Sequence, residues 1–271
     1  MDSNAAAFVG SIPEFYDKGL GPVIFADYAA DIARRTAAAG PKSVLETAAG
    51  TGIVTRRLRD ILPAGVGITA TDLNPPMLDI ARVKFRDEEQ VAFQQADAMA
   101  LPFDDGSFDA VVCQFGVMFF PDKPKSYAEA FRVLAPGGKY LFNVWDEHRY
   151  NDFGRITHSL VERLFPSDPP QFYRVPFSYA GIDPIKEALL EAGFVDLGIA
   201  VIQLDKVIPD LVAFARGVVY GNPLFDQIRA RGGVEPEAVL EALLAEFREA
   251  FGSGPSRMPL QAIMFAALKP G

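Results

Sequence analysis

The sequence predicts an α/β protein built on a seven-stranded, mostly parallel sheet with helices on both faces. Two observations carry this. From residue 43 onward, short apolar runs alternate with stretches whose apolar residues recur at helical spacing, the pattern of repeated strand–helix–strand units. Glycines and acids gather where those runs end, and the carboxyl ends of the strands are where an open parallel sheet places its ligand.

Taken in order, "SVLETA" (43–48) reads as a buried first strand, "GITATD" (67–72) as the second and "VAFQQAD" (91–97) as the third. The fourth and fifth are "AVVCQF" (110–115) and "KYLFNVW" (139–145). Between them, "MLDIARVKF" and "KSYAEAFRVL" have the apolar spacing of amphipathic helices. "FVDLGIAVIQL" (194–204) and "QAIMFAALK" (261–269) are the sixth and seventh strands. The 56 residues between them, 205–260, are too many for a plain connection and read as helical. With residues 1–40 and the aromatic-rich stretch 146–181, they are expected to form a helical cap on a core of residues 41–204 and 261–271.

Composition narrows the function. The chain has 271 residues, 26 of them basic and 35 acidic, for a net charge of −9. Without a basic block, neither duplex nucleic acid nor an anionic membrane surface is an expected partner. The longest uncharged run, Ala110–Pro121, is too short to span a bilayer. One cysteine, Cys113, excludes an internal disulfide and a cysteine-rich metal site, so no metal is expected. With no secretory signature at the N-terminus, the expected location is cytoplasmic. The oligomeric state, monomer or homodimer, is left open.

Three features mark the strand ends. In "ETAAGTG" (46–52), Gly50 and Gly52 permit a tight turn and close approach of a ligand, and a helix begins near Ile53. Asp72 ends the second strand, where a carboxylate accepts both hydroxyls of a ribose. Asp97 and Ala98 end the third, where a carboxylate beside a backbone N–H reads an adenine edge. The dinucleotide pattern G-x-G-x-x-G fails because Thr55 holds its last place, and Glu46 would repel a pyrophosphate but attract a cation.

With E-x-x-x-G-x-G after strand one, an acid after strand two and Asp-Ala after strand three, the chain resembles the class I S-adenosylmethionine (SAM)-dependent methyltransferases. "LPFDDGSFDAVVCQFGVMFF" and "EAFRVLAPGGKYLF", with its Pro136-Gly137-Gly138 turn, are similar to that family's stretches around strands four and five. The resemblance implies a Rossmann-like fold with strand seven antiparallel, SAM as cofactor, and methyl transfer to a small molecule. It places Glu46 toward the ammonium of SAM, the Ala48–Gly52 backbone at its carboxylate and Asp72 on the ribose. Leu73 would lie beside the adenine, Asp97 and Ala98 would hold it, and Gln114 and Phe115 would sit near the sulfonium. Tyr16 would close over the cofactor. Ala48 stands where the family often has glycine, which would set the loop slightly farther from the ligand.

"TDLNPPML" (71–78) contains Asn-Pro-Pro, close to a motif by which some methyltransferases grip a nitrogen. That motif belongs after strand four and wants an aromatic residue next; here Met77 follows. Asn74 is instead expected to be a helix N-cap and Pro75 the first helical residue. Methyl transfer needs positioning more than acid–base help; His148 and Gln114 are the catalytic candidates. Aromatic residues such as Phe119, Trp145, Phe153, Phe177 and Tyr220 suit an apolar or aromatic acceptor. The alternatives are a SAM-binding protein of this fold with other chemistry, or a non-enzymatic partner-binding module.

Overall fold

Seven strands form one sheet: β1 (Ser43–Glu46), β2 (Gly67–Asp72), β3 (Val91–Gln95), β4 (Phe108–Gln114), β5 (Leu134–Trp145), β6 (Val195–Ile208) and β7 (Ser256–Leu268). Their order is β3-β2-β1-β4-β5-β7-β6 in the computed structural model, which describes residues 6–271. Strands β1 to β5 pair in parallel. β7 runs against them: Gly137 N–H donates to the Lys269 carbonyl at 3.0 Å and Asp146 N–H to that of Gln261 at 3.1 Å, so numbers rise along β5 as they fall along β7.

The central strands are covered on both faces, which is why they read as unbroken apolar runs. Val44, Leu45, Val111 and Val112 have no exposed surface. The chain builds outward from β1 through β2 to β3, then returns to place β4 on the other side of β1. The order therefore reverses at the β1–β4 junction, opening a crevice at the carboxyl ends of those strands.

Every expected strand is present; β2 has the expected ends and the others differ. β5 begins at Leu134 rather than residue 139, because the Pro-Gly-Gly turn does not break pairing. The register shifts between Phe108 and Ala110, and Gly137 at φ 79° lets the chain bulge and continue.

The described residues divide into two compact units, one of residues 26–144, 180–202 and 263–271 and another of residues 6–25, 145–179 and 203–262. Residues 1–5, at the start of the first segment expected in the cap, lie outside the described residues. The helix Ala26–Ala38 lies in the first unit, where Ala29, Ile32 and Ala33 pack on Val44, Val54, Leu58 and Met264. Its small buried residues give a weak apolar stripe, so the sequence alone did not separate it from the residues before it.

In the second unit, the π-helix Tyr16–Phe25 meets the helix Leu211–Tyr220 at two glycines. A Cβ on Gly217 would lie 2.9 Å from the Gly19 Cα, so backbone packs on backbone there. Phe214 stacks on Phe247 at 5.7 Å beneath this crossing.

Overpacking the crossing should be costly. Gly217→Ala is expected to lower stability by about 1–3 kcal/mol in urea unfolding. Gly65→Ala, whose Cβ would meet nothing within 4 Å, should stay within about 0.5 kcal/mol of the parent protein.

Candidate functional site

The loop after β1 carries three residues with left-handed backbone: Ala48 at φ 51°, Gly50 at φ 54° and Gly52 at φ 77°. Such alternation turns successive N–H groups into a concavity that favours negative charge. Gly52 also lets the following turn close, since a Cβ there would lie 2.9 Å from the Ala81 Cβ. Ala48 takes the left-handed conformation that costs a non-glycine residue about 1–2 kcal/mol. Two flanking hydrogen bonds hold it, from Thr47 N–H to the Val112 carbonyl at 2.9 Å and from Ala49 N–H to the Thr71 carbonyl at 2.8 Å. Lys84 fixes the loop's far side, donating from Nζ to the Thr51 carbonyl at 2.8 Å.

Asp72 ties this loop to the next. Its Oδ2 accepts the Gly50 N–H at 2.8 Å and its Oδ1 accepts the Asn74 N–H at 2.8 Å. Burial raises the carboxyl's pKa, and these hydrogen bonds oppose the rise. Asn74 does occupy the N-cap position of the helix Pro75–Arg82, but its side chain makes no capping bond. Its Nδ2 turns back to Asp72 Oδ1 at 3.3 Å, so the residue braces the acid.

Glu46 lies deeper, at 2% exposure, and its Oε2 accepts the Thr55 hydroxyl at 2.6 Å. Its pKa is pushed up to about 8, chiefly by burial and further by the negative charge of Asp72, against the lowering effect of Thr55. Thr55, which breaks the dinucleotide pattern, is thus the partner of the buried acid.

The end of β4 meets the same loop. Phe115 is left-handed at φ 52°, an unusual state for a bulky residue. A Cβ on the next residue, Gly116, would fall 2.5 Å from the Ala48 Cβ and 2.8 Å from Cys113 Sγ. Tyr28 packs edge-on against Phe115 at 5.4 Å. Burial pushes the Cys113 thiol up to about 12, which leaves it inert.

Glu46, Ala48, Gly50, Gly52, Asp72, Gln114 and Phe115 therefore share one junction. Leu73 is 52% exposed beside it, and Gln95 Nε2 donates to its carbonyl at 3.0 Å. Asp97 and Ala98 follow β3 in a turn closed by Met99 N–H donating to Asp97 Oδ1 at 2.9 Å. Two expected site residues belong to the other unit. Tyr16 stacks on Phe25 there at 4.9 Å. His148 donates from Nε2 to the Tyr173 carbonyl at 2.8 Å and lies against Phe177 and His158; burial above all lowers its pKa. Sequence reasoning missed Thr55, Lys84, Gly116 and Asn143, the last of which accepts the Phe115 N–H.

A family model described as a methyltransferase domain matches residues 45–142. The ubiquinone/menaquinone biosynthesis C-methyltransferase of Geobacter sp. is 31% identical over 170 residues, covering 58% of this chain and 72% of that protein. The chain belongs to the class I SAM-dependent methyltransferase family. The demethylmenaquinone methyltransferase of Thermus thermophilus is 40% identical over 127 residues, or 46% of this chain. The match spans 57% of that relative's length, and 57% of the corresponding Deinococcus radiodurans protein. Among solved structures, phosphoethanolamine N-methyltransferase 2 of Haemonchus contortus superimposes with a TM-score of 0.58 at 17% identity, over 97% of this chain and 61% of that one. The [4+2]-cyclase SpnF gives a TM-score of 0.57 at 20% identity, over 90% and 81%. At such identities the likeness shows the fold alone. Among the described residues, no cluster of His, Cys, Asp and Glu is arranged to hold a metal ion, and no helix is long and apolar enough to cross a membrane.

The buried acid is expected to make the free protein's stability depend on pH. Glu46 is raised from 4.5 to about 8, so between those values the folded chain holds a proton that the unfolded chain has lost, and stability falls as pH rises. Asp72, also raised, acts in the same direction. Glu46→Gln should flatten this decline, gaining on the parent protein in urea midpoints from pH 5 to pH 8.

Proposed function

We propose that the protein transfers a methyl group from SAM to a small, apolar or aromatic molecule. The observation that carries this reading is the arrangement of Asp72. A carboxylate offers about four lone-pair sites: the Gly50 N–H takes one on Oδ2, and the Asn74 N–H and the longer 3.3 Å bond from Asn74 Nδ2 fall on Oδ1. Oδ2 keeps a site for one ribose hydroxyl, and the long Asn74 Nδ2 bond is the one that a second hydroxyl would displace. The residues around it fit the rest of the cofactor. Thr51 Oγ1 is buried in the loop without a hydrogen-bond partner among the described residues, and the left-handed turns offer N–H groups to a carboxylate. Glu46 supplies a buried negative charge for an ammonium, the group that a dinucleotide lacks. Leu73, Asp97 and Ala98 are placed for the adenine, and Gln114 with Phe115 for the sulfonium end. Tyr16 as a closing residue remains part of this proposal.

Bound SAM supplies the electrophilic methyl. The chain's own work is to orient the acceptor in line and exclude water. The relatives named as quinone-pathway methyltransferases favour an aromatic hydroquinone as acceptor, attacking through a ring carbon or an oxygen. If a base is used, His148 would serve through Nδ1, because its Nε2–H is held by Tyr173.

Calorimetric titration with S-adenosylhomocysteine tests the cofactor reading. The parent protein is expected to bind it, and Asp72→Ala to weaken binding at least about a hundredfold, since hydrogen bonds to a charged group contribute about 1.5–3 kcal/mol each. Labelled methyl from SAM should then appear in a demethylated naphthohydroquinone. No binding by the parent protein would remove the methyltransferase reading; binding without transfer to any acceptor would favour other chemistry on the same fold.

A further inference from the structure

The cofactor reading leaves the placement of the Asn143 carboxamide at the strand ends unexplained. Asn143 lies on β5 as the register partner of Gln114 on β4 and is 1% exposed. The Phe115 N–H donates both to its backbone carbonyl, at 3.1 Å, and to its Oδ1, at 3.2 Å. That second bond fixes which way the carboxamide faces: the oxygen turns to Phe115 and the NH2 group turns away. Nδ2 is buried and has no hydrogen-bond partner among the described residues. Burying a donor without an acceptor is unfavourable, so such a group calls for an explanation, and a molecule bound beside it is one.

The surroundings are those of a built site. Phe115, which Asn143 holds, has left-handed backbone, and residues kept in such conformations cluster where ligands are clamped. Gly116 carries this turn onto Ala48 of the glycine loop. The orphan donor therefore belongs to the junction at which the sulfonium methyl would be delivered.

We propose that Asn143 binds the methyl acceptor through its Nδ2–H, and that the acceptors taken carry an oxygen with a free lone pair, as a carbonyl, phenol or enolate, next to the atom that is methylated. This rests on the methyltransferase reading and adds a substrate class to it. A neutral donor with no lone pair of its own selects an acceptor atom and offers nothing to a protonated amine. On an enolate or phenolate, the same bond stabilises negative charge without a nearby cation.

The test uses two probes of similar shape, 1-tetralone with a carbonyl oxygen and tetralin without one, titrated into the full chain saturated with S-adenosylhomocysteine. The parent protein is expected to bind the ketone about tenfold more tightly. Asn143→Leu and Asn143→Ala should bring the ratio close to one while binding S-adenosylhomocysteine within about twofold of the parent protein. A ratio near one in the parent protein, a preference that survives both substitutions, or no binding of either probe would overturn the proposal alone. Variants that also lose S-adenosylhomocysteine would place Asn143 in the scaffold and overturn it as well. A parent protein that binds no S-adenosylhomocysteine would remove the methyltransferase reading and this proposal together.

Discussion

The carboxylate of Asp72 is the constraint on which the rest of the site depends. It joins two loops that are distant in sequence, holding the Gly50 N–H on one oxygen and the Asn74 N–H on the other. Removing those donors would leave a nearly buried acid uncompensated; removing the acid would leave the left-handed loop without its anchor. The geometry is also incomplete in a specific way, because Oδ2 keeps acceptor capacity and one of the two bonds on Oδ1, from Asn74 Nδ2, is long at 3.3 Å. Behind it, Glu46 adds a second acid in a still drier place. Two buried acids with no cation beside them favour a proton on one of them, and a cationic ligand would take that proton's place. Anion-attracting turns and cation-attracting acids thus lie side by side, matching a zwitterionic amino-acid group rather than a pyrophosphate.

A second constraint is steric. Ala48 and Phe115, both left-handed without being glycine, end adjacent strands and meet through Gly116. A methyl on Gly116 would collide with Ala48, so the glycine that this loop lacks at residue 48 is compensated across the junction. Backbone strain on both sides is held by hydrogen bonds from the neighbouring strands, which is how a parallel sheet fixes loops it does not itself contain.

The sheet was legible because buried parallel strands are apolar runs and their connections are amphipathic helices; all seven strands were found, with ends displaced by bulges and extensions. The helix Ala26–Ala38 was hard to read as a separate element because alanines bury well but mark a face weakly. At the site, Glu46, Gly50, Gly52 and Asp72 stood out, since charge and glycine at strand ends are visible in one dimension. Ala48 was legible only as a departure from the resemblance, and its left-handed backbone explains how the departure is accommodated. Asn143 and Gly116 carried no signal: their roles arise from contacts with Phe115 and Ala48, residues far away in the chain or in a backbone state that no side chain announces. Asn74 was read correctly in position and differently in role, because an asparagine at a helix start can serve either the helix or a neighbouring acid.

The account's central claim is that Asp72 holds the glycine loop ready before any ligand arrives. Hydrogen exchange at the Gly50 amide tests it directly. In the free protein this amide should be protected, the protection should disappear in Asp72→Ala, and S-adenosylhomocysteine should slow exchange further in the parent protein alone. A Gly50 amide that exchanges freely in the parent protein, or stays equally protected in Asp72→Ala, would contradict the account.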